Sequence, residues 1–458
     1  MRGMALVVMV CAGTAVGQTF PSWIGDEGNW FDAANWAFGS VPGGEDRALI
    51  NNGGVAVVSG GNASIGVLGI GLDGMGSGGL RIESGTLAVS GALLPAVVLA
   101  RDAGTAGFVE VVGTESVFEP FNLDVGRRGS ASLEVRDGAV IEIDRLFNVA
   151  GRTLADDSTG ARASVVVSGE GSVIRSRGSA FTSQMFLVAM GQEGRFDFLV
   201  EDGGQVDLSA AFLTAATTDL RSTFTVRGDG SVAAFTTLDT TRGLEALQVA
   251  SADLTVSDGA ELRVKPEETF GGELLGSVSL FGGGVLRGNG GVVFGDVELR
   301  EGSRIEVGEG GVGRLDIVGN VFVNSPFPEF TRTVGFELAG TDDGEFDVLS
   351  LTQLELVDDP FDGRRLLDVE IATLEVRLLD GFSPEFGDVF EIVEFETLPD
   401  EVIPVFTEFG ALDLPSLGGN LAFDVEYANT GITLVVVPTP GALGVLGLGV
   451  VAALRRRG

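Results

Sequence analysis

Three kinds of residue in this chain have types and spacings that could do chemistry. The 65 acidic residues come first. Glycoside hydrolysis needs only two carboxylates at the right separation. The adjacent pairs Asp156-Asp157, Asp342-Asp343 and Asp358-Asp359 all stand beside glycine, proline or small polar residues in loop-like contexts, where solvated acids are the ordinary occupants. The clusters TDDGEFD (Thr341–Asp347) and VDDPFDG (Val357–Gly363) offer the hard oxygen donors that calcium prefers. Neither follows the EF-hand loop or the G-G-x-G-x-D nonapeptide. The expectation is therefore no cofactor and no resident metal, with Ca2+ the one ion these clusters could hold.

The second kind is aromatic. All three tryptophans, Trp23, Trp30 and Trp36, fall in one short stretch near the start. Exposed, they could stack on sugar rings; buried, they would plug the open end of a core and cover an edge strand. The third is the lone Cys11, which sits inside an apolar N-terminal run. There is no histidine, which removes Ser-His-Asp and Cys-His catalysis and every His-bearing metal site. A lyase acting on uronic acids wants a cationic cleft and a strong base. This chain has one lysine, Lys265, and a net charge of −36. The same charge repels nucleic acid and anionic lipid surfaces. It is unevenly spread: residues 341–430 hold 23 acidic and 3 basic side chains, a net of −20.

The elements that must position such residues are written in repeats. LRIESG (Leu80–Gly85), LEVRDG (Leu133–Gly138), FLVEDG (Phe198–Gly203) and LTVSDG (Leu254–Gly259) share an alternating apolar run that ends in an acidic or small residue and glycine. Several continue into a second alternating run, such as AVIEI after Gly138. Each follows a short apolar segment ending at Gly71, Ala100, Gly126, Ala150, Ala189, Ala215 or Ala250, at spacings of 29, 26, 24, 39, 26 and 35 residues. Such units read as two or three short strands separated by glycine turns. One unit cannot bury its apolar face alone, whereas stacked copies share a continuous interior. Residues 121–265 contain no proline, as unbroken backbone ladders require. Asp-Gly between alternating strands is also a strong hairpin signal, so antiparallel hairpins in a sandwich satisfy the same pattern. The repeats favour stacked coils.

LDVGRRGSASLEVRDGAVIEI (Leu123–Ile143) resembles, almost position for position, the repeat shared by autotransporter passengers and PEP-CTERM exported proteins. The resemblance covers residues 65–265 and implies an all-β fold, a right-handed parallel β-helix exposed outside the cell. Residues 266–436 resemble late passenger coils more loosely and form an acidic β-rich region in which prolines return. No membrane barrel follows them, so self-export of the autotransporter kind is not expected. Residues 18–64, with the tryptophans, resemble a Trp-rich opening module of such proteins and would cap the stack.

Both termini read as addresses. Residues 1–17 have a basic Arg2, an apolar run and small residues Ala15 and Gly17, the pattern of a secretory signal cut before Gln18. Residues 437–458 hold Pro438-Thr439-Pro440, a short apolar helix and Arg455, Arg456 and Arg457. The fourteen residues Gly441–Leu454 would span about 21 Å as a helix, short of a bilayer's roughly 30 Å. The arginines would hold this end in the cytoplasm. The arrangement resembles a PEP-CTERM sorting signal, with threonine where that motif has glutamate. The resemblance implies secretion machinery and an exosortase-like protease as partners, and transient or permanent contact of the tail with the inner membrane. The expectation is a non-enzymatic protein, structural or adhesive, of the cell envelope, cell surface or extracellular matrix, with extracellular polysaccharide a candidate partner and no nucleic acid. The alternative is a carbohydrate-active β-helix enzyme, glycosidase or lyase-like.

Overall fold

The computed structural model describes residues 21–439, apart from 75, 92–95, 152–159, 178–187, 191–193, 210, 215–220, 238–246, 267–275, 309, 324–330, 353–364, 380 and 397–405. The signal residues Ala15, Gly17 and Gln18, the tail with Pro440 and Arg455–Arg457, the pairs Asp156-Asp157 and Asp358-Asp359, and VDDPFDG lie outside the described residues. The described chain is nearly all β: forty strands and two short 3-10 turns. The strands form three long sheets of 14, 14 and 12 members.

One repeat shows how the chain moves between them. Ser130–Arg136 lies in the first sheet, Val140–Ile143 in the second and Leu146–Val149 in the third. The chain then returns to the first sheet at Arg162–Ser168, which pairs parallel and in register with Ser130–Arg136. Every third strand therefore stacks on its predecessor, a topology compatible with a β-solenoid. Fourteen strands give thirteen spacings of about 4.8 Å, a stack about 60 Å long.

The alternation in the sequence decides what faces inward. Leu133, Val165, Phe198, Phe224, Leu254, Leu286, Ile305, Val334 and Leu374 occupy one register row along the first sheet. All are at most 1% exposed. Burying each such side chain is worth about 1.5–3 kcal/mol. Phe198 and Phe224 stack at 4.6 Å between ring centroids, so the wide coils are filled by rings.

The Asp-Gly pairs are corners rather than hairpin loops. Asp137 and Gly138 have φ of 59° and 85°, both left-handed, and Asp202-Gly203 and Asp258-Gly259 repeat this. The backbone is that of a tight hairpin turn, but the flanking strands belong to different sheets and pair with neighbouring coils. The sandwich of hairpins is thereby excluded for the repeat region. Buried serines pin these corners between coils: Ser172 Oγ accepts the Gly138 N–H at 2.9 Å, and Ser231 Oγ accepts that of Gly203 at 3.1 Å. The corner after the third sheet falls at Gly71, Ala100, Gly126 and Ala150, with φ of 62°, 52°, 71° and 52°. These are four of the seven residues on which the repeat spacing is measured; Ala189 instead lies within the strand Val188–Met190, after Ala250 the left-handed residue is Ser251, and Ala215 lies outside the described residues.

The sheets do not stop where the prolines return. Glu261–Pro266 pairs parallel with Gly291–Phe294, and the ladder runs on to Val389–Glu396. There the pattern changes. Gly431–Pro438 pairs antiparallel with Val389–Glu396 and with Leu421–Ala428, closing the end of the second sheet. Pro438 thus ends a strand, and the Thr439 N–H donates to the Asn420 carbonyl.

Candidate functional site

The tryptophans close the other end. Trp23, Trp30 and Trp36 are 2%, 0% and 1% exposed. Trp36 meets Trp23 and Trp30 edge-to-face at 5.1 and 4.8 Å, and its indole N–H donates to the Trp30 carbonyl at 2.8 Å. They belong to the main apolar core. The rings act as the expected cap and offer no open face to a sugar, the alternative reading, because stacking on a core end is worth more than exposing three indoles to water.

The acidic cluster Thr341–Asp347 is used by the fold itself. Its Asp342 N–H donates to Glu345, and the Glu345 N–H returns to the Asp342 carbonyl, closing a turn. Asp347 turns inward and is fully buried. Its two carboxylate oxygens accept the N–H groups of Gly313 at 2.7 Å and Glu337 at 2.6 Å. Burial pushes this carboxyl up to about 8, against the two N–H donors, which favour its ionised form. Among the described residues no three acidic groups gather as a metal-holding set.

What remains available is the outer face of the first sheet, and it has two unlike halves. In the later half a continuous chain of ion pairs crosses the coils. Arg221 contacts Asp253; Asp253 meets Arg287 at 2.6 Å; Arg287 meets Glu306 at 2.7 Å. Glu306 meets Arg304 at 2.6 Å, Arg304 meets Glu375 at 2.7 Å, and Glu375 meets Arg377 at 2.6 Å. Burial works to lower the Arg287 guanidinium, but Asp253 and Glu306 outweigh it and hold it above its ordinary value. Gly335 stands in register between Glu306 and Glu375 and contributes no side chain. The gap is a depression of about 320 Å³, rimmed by Arg287, Arg304, Arg377, Glu306 and Glu337. Glu306 is committed to two arginines there, so this depression does not present a free carboxylate pair.

In the earlier half the far ends of the strands are charged, with Arg81 meeting Glu110 at 2.7 Å and Arg136 meeting Glu134 at 3.1 Å, but a patch at residues 77–79, 106–108 and 130–132 carries no charge. Ser77, Ala106 and Ser130 form one register row, and Gly79, Phe108 and Ser132 form the next. All of these but Gly79, together with Gly53, Gly78, Gly107 and Ala131, line a shallow depression of about 370 Å³. Phe108 points outward, is half-buried, and lies outside the main core. Its ring tip covers Gly79: a Cβ there would lie 2.1 Å from Phe108 Cζ. Ser130 and Ser132 are exposed. Nothing in the repeat pattern marks this place, since outward positions are free of the alternation rule; the only sequence signal is the run Ser77-Gly78-Gly79, where other repeats carry larger residues.

No helix among the described residues is long and apolar enough to cross a membrane. Compared with known proteins, the chain matches no family model and no curated sequence at a significant level.

Proposed function

We propose that this chain is a non-enzymatic exported protein of the cell surface or extracellular matrix, structural or adhesive in role. Its body is a right-handed parallel β-helix, the hand that strand-to-strand crossovers adopt in nearly all cases. The observation that supports the reading is the stack itself: three in-register sheets about 60 Å long, closed by tryptophans at one end and by an antiparallel hairpin at the other. Such a rod holds whatever its outer rows present at a fixed distance from an attached end. It needs no disulfide, since the one cysteine lies in the segment read as a signal.

On this reading residues 1–17 direct export, and the tail after Pro438 is a sorting signal recognised by an exosortase-like protease. Peptide-resolved mass spectrometry of the protein from its own cells, with cell fractionation, tests both. Surface or medium protein beginning at Gln18 and ending near Pro438 is the expected result. Protein in the cytoplasm with both ends intact overturns it. Persistence of Leu454 and the arginines on surface protein turns the tail into a permanent anchor and the rod into a tethered stalk.

A further inference from the structure

We propose that the uncharged depression over residues 77–132 binds a neutral glycan, a chain of uncharged sugar units lying along the stack. The inference rests on the surface-protein reading for its biological setting and on its own geometry for its chemistry. Phe108 supplies an apolar ring fixed from below by Gly79, with its outward part open. The C–H faces of a pyranose ring stack on such a surface, burying apolar area without giving up the sugar's hydroxyls. Around it, the hydroxyls of Ser77, Ser130 and Ser132 make no hydrogen bond with the described residues. Each can donate one and accept two, the same capacity as a sugar hydroxyl.

Charge selects among occupants. The lining holds no ionisable side chain, while the whole chain carries −36. A uronic or sulfated polymer would enter a repulsive field and find no cation inside the depression. A cationic ligand would find no carboxylate there. A second copy of the chain would bring the same negative charge, and one half-buried phenyl is too little apolar area for a stable interface. An uncharged polyol meets none of these costs. The depression is lined from three neighbouring strands, two spacings of about 4.8 Å, and from Gly53 in the turn before Val55–Val58, so it extends at least about 10 Å along the stack, room for more than one ring.

The test is calorimetric titration of the full chain with linear neutral hexasaccharides of differing linkage, and with oligogalacturonate as the charged comparison. At least one neutral hexasaccharide is expected to bind and oligogalacturonate is not. Phe108→Leu should weaken binding about tenfold or more, and Phe108→Trp should retain it. Ser132→Arg, at an exposed position, should abolish it by filling the depression while circular dichroism stays that of the unaltered chain. The proposal is overturned if no neutral hexasaccharide binds up to about 10 mM, or if binding survives both Phe108→Leu and Ser132→Arg. It is also overturned if sedimentation shows self-association that Ser132→Arg removes, which would make this face an interface between copies. Failure to bind by a protein found outside the cell sinks this inference alone. Binding by a protein found only in the cytoplasm sinks the surface reading and leaves the site standing.

Discussion

The outer face of the first sheet keeps one backbone ladder and one register throughout, yet its uncharged patch around Phe108 differs from the charged rows of the later coils. Around Phe108 the row reads Gly79, Phe108, Ser132, Ser164. Two residues further along the strands, and six to nine coils beyond Phe108, it reads Arg287, Glu306, Gly335, Glu375. In a parallel in-register stack each side chain sits directly over its counterpart in the next coil. Like charges there repel and opposite charges support one another. The later half meets this by alternating sign, Arg287 over Glu306, and by bridging the gap at Gly335 with Arg304. In the earlier half that same row reads Arg81, Glu110, Glu134, where Arg81 and Arg136 pair with the two stacked glutamates, and only the patch around Phe108 carries no charge. The difference teaches that the inward rows are fixed by the core, whereas each stretch of the outward rows can be spent either on ion pairs between coils or on binding.

The largest expected effect would expose that difference through pH. The folded Asp347 carboxyl titrates near 8, while unfolded aspartate titrates near 3.8. Between those values the folded state binds the extra proton, so stability is greatest below about pH 4 and falls as pH rises through 8. The loss is of the order of several kcal/mol. It should be local: amide exchange at pH 8.5, corrected for intrinsic rate, should rise relative to pH 5.5 in Thr333–Leu338 and Val348–Thr352, while Ala106–Val112 and Ser130–Arg136 stay protected. Asp347→Asn should flatten the pH profile, at the cost of one of the two N–H bonds. Equal loss across both halves would show that the stack responds as one unit and that the contrast is only cosmetic.

Arg287→Ala comes next. The side chain is 25% exposed and serves both Asp253 and Glu306. Its removal leaves two carboxylates without their shared cation, which should cost about 2–3 kcal/mol. That lies between an exposed pair and a fully buried one. Hydrogen exchange in Ala252–Ser257 and Arg304–Val307 reads it directly. Protection unchanged within error would mean that the chain of ion pairs is decoration.

Much of this was legible beforehand, for reasons that particular residues show. Leu133, Val135, Ile141 and Ile143 alternate because one face of each strand is buried, so coil and core could be read directly. The choice between corner and hairpin could not be read from Asp137-Gly138. The left-handed pair of dihedrals is the same in both, and only the partner strand, set by stacking, tells them apart. Nor could the prolines after residue 265 locate a break, since Pro266 ends its strand and does not interrupt a ladder. The three tryptophans read as a cap for the stack, with sugar contact the lesser alternative, and their burial agrees with the cap; the depression around Phe108 had no such mark. Phe108 is a single phenylalanine among 30, and only the neighbouring Gly79 one coil earlier, invisible as a neighbour in the linear chain, shows that it lies flat on the outside.

The serine pins give a smaller effect that any coil should share. In GSV at Gly171–Val173 and Gly230–Val232 the serine satisfies a corner N–H of the preceding coil. Ser172→Ala or Ser231→Ala leaves that donor unpaired in a closed corner, which should cost about 1–2 kcal/mol. Urea unfolding followed by circular dichroism checks it. A loss under about 0.3 kcal/mol would mean that water replaces the hydroxyl and the corner is open.

The smallest effect is the one on which the contrast depends most. Ser132 is exposed, sits over Phe108 in register, and its hydroxyl makes no hydrogen bond with the described residues. If the earlier half is free of structural duty, Ser132→Ala should change stability by no more than about 0.5 kcal/mol, in contrast to the pinning serines of the same type only a corner away. The comparison controls for residue chemistry, since a hydroxyl is removed in both cases and only its partner differs. A loss above about 1 kcal/mol at Ser132 would place this serine among the elements that hold the stack. The uncharged rows would then be a packing solution over Gly79 rather than a surface left open for a ligand.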